Sequence, residues 1–319
     1  ILKEHLPRAV DLLCDIVFGS TYPEEELRHE ADVICDEIES YNDAPAELIY
    51  DEFENLLFQG HPLGHNILGT REQVLSFSSA HARSFTRRHY RPDNAIFFLY
   101  GDADFARLEK RLEKIGAVAS PSGECSPAVP VAATIPSPSS EEPSSPLHHQ
   151  AHVMLGCRTF GYDDARRMPL YLLNNLLGGP GMNARLNLSL RERQGLVYTV
   201  ESSMASYSDT GCWSVYFGCD HHDVRRCLRL VRRELDRLMQ QPLSERQLTA
   251  AKRQLKGQIA IACDNREQFA LDMAKHYLHY GRVRTIDALL EQIDALTTAQ
   301  LQDVAQQVFD PSQLQQLVL

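Results

Sequence analysis

Apolar residues recur along this chain with two periods, and the change of period divides it. From residue 1 to 117 the spacing is mostly helical, three or four apart, as in "ILKEHLPRAVDLLCDIV". After residue 148 the pattern alternates between the two periods. "HVMLGCRTFG", "LVYTVESSMAS" and "CWSVYFGCD" read as strands, the last two as a pair. "RRMPLYLLNNLLGG" and "ARLNLSLRERQG" read as helices around a glycine-rich turn, and four helices are predicted to fill most of 222–309. Strands grouped and then helices grouped predict an α+β fold with a mainly antiparallel sheet. Before residue 117 only "NAIFFLYG" reads as a clear strand. One strand makes no sheet, so this first domain reads as incomplete.

Residues 118–147, "VASPSGECSPAVPVAATIPSPSSEEPSSPL", break both periods and read as a Pro/Ser-rich linker between domains 1–117 and 148–319. The two domains end alike. Residues 73–100 align without a gap on 292–319: Ser78-Ser79 on Thr297-Thr298, Phe85 on Val304, Tyr90 on Phe309, Pro92 on Pro311. Each copy has a capped helix, an aromatic-x-Pro stop and an extended run. The shared punctuation predicts two homologous domains.

One helix carries an anomaly. In "HEADVICDEIES" (29–40), Leu27, Ile34 and Ile38 cluster within about 40° of arc at ~100° per residue. Glu30 and Glu37 fall between that cluster and Val33, two turns apart on one face. Either both pair with basic residues of a neighbouring helix, or one ligates a metal and the other supports it, since a semi-buried carboxylate needs a cation. Three glycines within "GGPG", Gly178, Gly179 and Gly181, form either a plain turn or a place where another backbone approaches closely. Arg191 precedes a Gly195 stop and Tyr198 begins the next strand, which brings the two near one sheet end. Surface and packing roles compete with functional ones for both. His148, His149 and His152 in "HHQAH", and His276 with His279, read as polar or packing residues rather than ligands. "ILKEH" lacks the first ligand of an H-x-x-E-H motif.

"EEELRHEADVICDEI", "HPLGHNILG", "HYRPDNAIFFLYGD", "LLNNLLGGPGMNARL" and "LRERQGLVYTVESS" follow one another in this order. Together they resemble the pitrilysin/insulinase family of zinc metallopeptidases, in particular its short members similar to mitochondrial processing peptidases. The resemblance implies two homologous α+β domains facing each other across a cleft. It implies that Glu37 is a Zn2+ ligand and Glu30 its supporting acid. Arg191 and Tyr198 would reach the substrate carbonyl and the developing oxyanion, and Gly178, Gly179 and Gly181 would handle substrate. The implied activity is hydrolysis of unstructured peptides. The family's H-x-x-E-H helix is absent, so two His ligands and the general-base Glu are missing. The chain opens on Ile1, and that helix is expected upstream of it. As it stands the chain is expected to hold no zinc and to hydrolyse nothing. The competing expectation is a catalytically silent scaffold that binds peptides or a partner.

Composition narrows the class further. The chain has 319 residues, a net charge of −11 and 43% hydrophobic residues, which suits about two domains and disfavours nucleic acid or an anionic membrane as partner. No apolar run approaches the ~18 residues of a membrane span. The eight cysteines include no CxxC pair, so reduced, buried thiols and a cytoplasmic location are expected. A homodimer or a related partner subunit is compatible with the resemblance.

Overall fold

The computed structural model describes residues 1–119, 150–283 and 285–319. Helices α1 (Leu6–Phe18), α2 (Glu24–Asn42), α3 (Pro45–Leu57), α4 (Arg71–Ser76), α5 (Ser79–His89) and α6 (Phe105–Ala119) come first. Strand β1 (Ala151–Thr159), α7 (Arg167–Gly178), a π-type turn (Asn187–Glu192), β2 (Val197–Ser206) and β3 (Gly211–Cys219) follow. The chain ends with α8 (Val224–Gln240), α9 (Glu245–Asp264), α10 (Arg266–Tyr280), α11 (Ile286–Asp294), α12 (Thr298–Val308) and β4 (Gln315–Val318). The fold is α+β. Among the described residues five helices, not four, occupy 222–309, because Asn265 caps a new helix by accepting from the Gln268 amide.

The residues form two compact units that do not follow a single cut. Residues 40–67, 150–264 and 285–319 make one; 1–39, 68–119 and 265–283 make the other. The division read at 118–147 therefore differs from the packing. Residues 118 and 119 continue α6, and 120–147 lie outside the described residues.

In the sheet-bearing unit four antiparallel strands run in the order β2-β3-β1-β4. Alternation sends successive side chains to opposite faces. Val153, Leu155 and Cys157 of β1, with Trp213, Val215 and Phe217 of β3, enter the large core under α7, α8 and α12. Trp213 is fully buried, packs against Phe309 with tilted rings 4.6 Å between centroids, and donates its indole N–H to Asn174 Oδ1 at 3.1 Å. Met154, Cys212 and Leu317 point the other way and meet Ile49, Phe53 and Leu57 of α3. This explains why α3 belongs here: its apolar stripe fits the sheet face that the other helices leave uncovered.

The helical unit has a smaller core. Val10, Cys14 and Leu108 are buried where α1 packs on α6, flanked by half-buried Leu6, Phe18, Phe97 and Leu112. Arg111 clasps Asp11 through Nε and Nη2, and Lys3 pairs with Asp102 at 2.5 Å. The strand expected at "NAIFFLYG" does not form. Residues 95–100 pair with no strand among the described residues, and Ile96 and Tyr100 are exposed. A strand needs a ladder partner for its backbone groups, and this unit holds none among the described residues.

The seven described cysteines are all free thiols, six of them buried. Burial pushes the Cys157 thiol up to about 12, which makes it inert at neutral pH. No helix among the described residues is long and apolar enough to cross a membrane.

Candidate functional site

The sheet-bearing unit builds one site from four elements. Helix α7 ends at Gly178, which sits against β2: a Cβ there would lie 2.4 Å from the Ser202 backbone nitrogen. Only glycine allows this approach, and Ser202 Oγ seals it by donating to Asn174 O at 2.9 Å. The chain then turns through Gly179, Pro180 and Gly181. Two amide pairs fix the turn to α9: Asn175 to Gln258 at 2.6 Å and Asn183 to Gln254 at 2.8 Å. Gln254 and Gln258 are one helical turn apart, so both point the same way. The loop is thus held at both ends, with Met182 exposed at its tip.

Arg191 comes from the next element. The sequence predicts an ordinary helix there; the backbone takes a π-type turn, with Arg193 N donating to Leu188 O. Wider turns of this kind re-aim side chains. Gly195, at φ +62, ends the turn in the left-handed region by donating to Arg191 O at 2.8 Å. Arg191 is exposed and its guanidinium makes no hydrogen bond or ion pair among the described residues.

These parts enclose one cavity of about 600 Å³, lined by Asn175, Gly178, Gly179, Gly181, Arg191 and residues Val200–Ser203 of β2. Three expected substrate-handling glycines and Arg191 therefore meet. Tyr198 does not line the cavity. The β2–β3 register shifts between Val197 and Val200, and this bulge leaves Tyr198 76% exposed. The packing role within the strand is excluded. Glu201, which no motif marks, also lines the cavity and accepts from the Tyr50 hydroxyl of α3 at 2.6 Å. Burial, followed by that carboxylate, drives the Tyr50 hydroxyl upward in pKa.

Glu30 and Glu37 lie in the helical unit. Both are exposed, and neither makes a hydrogen bond or ion pair among the described residues. The salt-bridge alternative thus has no partner here. The buried side of α2 centres on Cys35, with Leu27, Ala31, Ile34 and Ile38 half-buried beside it. The carboxylates sit at the margin of that arc rather than inside it. A zinc ion needs about three protein ligands. Among the described residues the one group of three ligand atoms close together is Asp220, His222 and Asp223, and it does not include Glu37. The described residues do not complete a zinc site at Glu37. His276 instead donates to the Arg282 carbonyl at 2.6 Å and stacks on Tyr280. His152 hydrogen-bonds the Tyr216 hydroxyl, while His148 and His149 lie outside the described residues.

The chain is similar to known proteins along most of its length. Residues 76–255 match the family model "Peptidase M16 inactive domain", and residues 1–71 match "Insulinase (Peptidase family M16)". An uncharacterized zinc protease of Streptomyces coelicolor is 31% identical over 314 residues, covering 97% of this chain and 68% of that protein. Among solved structures, the M16 inactive domain from Pseudomonas fluorescens superposes with a TM-score of 0.84 at 21% identity, covering 97% of this chain and 73% of that one. A protease from Helicobacter pylori superposes at 0.85 and 18% identity, covering 99% and 77%.

Proposed function

This chain belongs to the insulinase family of peptidases, M16, and from that premise we propose that it is the peptide-holding body of a zinc endopeptidase that acts on unstructured polypeptides. The observation that carries the proposal is the convergence on one cavity of the glycine turn, Arg191 and β2, whose outer edge no strand among the described residues pairs. An extended peptide has backbone groups to satisfy, and an edge strand offers the same need in mirror image. The peptide adds alongside Val200–Ser203. Gly178, Gly179 and Gly181, which carry no side chains, give its backbone room. Arg191 and Tyr198, both exposed and uncommitted, donate to the scissile carbonyl as negative charge grows on it. One such donor is typically worth about 3 kcal/mol in the transition state. Glu37 contributes a metal ligand and Glu30 supports it, with the remaining ligands supplied from outside the described residues.

A second reading has its own support. The matched domain is described as inactive, and Glu37 stands without a second ligand nearby among the described residues. On that reading the chain is a silent scaffold that binds peptides or a partner subunit.

Fluorescence anisotropy with a labelled unstructured peptide tests the shared premise. The 319-residue chain is expected to bind it saturably, and Arg191→Ala to weaken binding about tenfold. No saturable binding would sink the proposal. Cleavage separates the two readings. In a zinc-competent form of the protease, Arg191→Ala and Tyr198→Phe lower kcat more than they raise KM. A scaffold shows no chelator-sensitive cleavage in any form. Stoichiometric zinc held by the 319-residue chain, and lost in Glu37→Gln, would contradict the ligand count.

A further inference from the structure

The π-type turn that sends Asn187 and Arg191 to the peptide cavity sends Leu188 to another, which Arg185 just before the turn also lines. This second concavity, of about 470 Å³, is bounded by Arg185, Arg193, Arg237, Glu234 and Gln247, with Leu243 as part of its apolar wall. Its volume lies within the ~300–1,000 Å³ of small-molecule sites.

Its polar groups are unevenly matched. Glu234 is 4% exposed and already accepts from Arg237 Nη1 at 2.9 Å. Arg185 is half-buried, and its guanidinium donates no hydrogen bond among the described residues. A guanidinium has five N–H donors and no acceptor, so Arg185, which lines the concavity and feels the Glu234 charge, keeps donors available to a ligand there. Arg193 is exposed and likewise unpaired. Gln247 adds a neutral donor. Its Oε1 is taken by the Ser244 amide and hydroxyl at 2.9 and 3.0 Å, and its NH2 donates to nothing among the described residues. Three guanidiniums thus face one engaged carboxylate, on a chain whose net charge is −11. Local excess of this sign suits an anion with several oxygens, which forked donors bind bidentately.

We propose that the concavity bounded by Arg185, Arg193 and Arg237 is a binding site for a small anion carrying condensed phosphate groups, as in an inorganic or nucleoside polyphosphate. The site is separate from the peptide cavity, shares no lining residue with it, and does not depend on whether the chain is a peptidase or a scaffold. Arg185 and Arg193 take phosphate oxygens, Gln247 donates to a further oxygen, and Glu234 holds Arg237 in place.

Isothermal titration of inorganic tripolyphosphate into the 319-residue chain at low ionic strength tests this. The expected result is one saturable site, weakened about tenfold or more by Arg193→Gln and by Arg185→Gln, as loss of a bidentate charged contact requires. Arg253→Gln, an equal charge change at an exposed residue outside the concavity, should leave affinity within about twofold. Trp213 fluorescence reports whether each variant is folded; should Arg185→Gln fail to fold, Arg193→Gln decides. A titration with ATP distinguishes the sources: tighter binding than tripolyphosphate assigns the site to nucleotides, weaker binding to inorganic chains, and either ordering upholds it. Absence of saturable binding, equal losses in Arg193→Gln and Arg253→Gln, or citrate binding as tightly as tripolyphosphate would overturn it.

Discussion

Helices α5 and α12 start and stop at equivalent residues of the repeated segments 73–100 and 292–319. Ser78 caps the first by accepting from His81 N at 3.4 Å, and Thr297 caps the second by accepting from Gln300 N at 3.3 Å. Tyr90 and Phe309 end them. Beyond the helices the two copies part. Phe309 is fully buried against Trp213, whereas Tyr90 is 47% exposed. Val304 is buried, whereas its counterpart Phe85 is exposed. Residues 315–318 pair with β1 as β4, whereas 96–99 pair with nothing among the described residues. Helix boundaries are written locally, in caps and prolines. Burial requires a sheet to pack against, and β1 and β3 supply one to the second copy alone among the described residues.

This contrast predicts unequal costs for equivalent substitutions. Phe309→Ala should destabilise by about 3–5 kcal/mol, as for other fully buried aromatics, while Tyr90→Ala should cost less than about 1 kcal/mol. Trp213 is the one tryptophan in the chain, so denaturant unfolding followed by its fluorescence reads the sheet-bearing unit specifically. Hydrogen exchange in α5 reads the other. Comparable costs at the two positions would mean that the first copy is packed in solution. The caps should behave in the opposite way. Ser78→Ala and Thr297→Ala should each cost about 1 kcal/mol, because cap energetics are local. A large difference between them in exchange-derived opening energies would break the idea of one shared local code.

The smallest effect concerns charge beneath the sheet. Glu54 of α3 is raised in pKa chiefly by burial, and further by Asp51. Ionised Glu54 therefore opposes folding at neutral pH. The favourable, protonated form is fully present below the ordinary carboxylate value of 4.5 and is lost as pH rises through the raised folded-state value. Glu54→Gln should raise Tm at pH 7 by about 1–3 °C, and the gain should vanish as pH falls below that ordinary value. Thermal melts across this range check the sign. A gain that grows in acid would contradict it.

Much of the sheet-bearing unit was legible beforehand. Period-2 runs marked β1, β2 and β3, and the repeat located α12 with its caps. Four things were not legible, each for a physical reason. The apolar stripe of α3 announces a buried face but not which surface covers it. A π-type turn differs from an α-helix by one residue per turn, and the composition of 187–192 is compatible with either. The bulge that frees Tyr198 arises from a register shift between paired strands, which neither strand encodes alone. The wheel of α2 placed Glu30 and Glu37 correctly on one face but misplaced its buried centre, since Cys35 rather than Ile34 marks it. The glycine turn and Arg191 were found from motif alone. Their meeting at one cavity with β2 needed the structure.

The outer edge of β2, unpaired among the described residues, is the feature on which the functional account turns, and β4, at the other side of the sheet formed by those residues, offers an internal control. Hydrogen–deuterium exchange of the 319-residue chain, with and without a saturating unstructured peptide, reads both edges at once. The account predicts that the amides of Val200–Ser203 gain protection while those of Gln315–Val318 are unchanged, and that Arg191→Ala abolishes the gain. Protection at β4 instead, or none at β2 with the peptide bound, would contradict it.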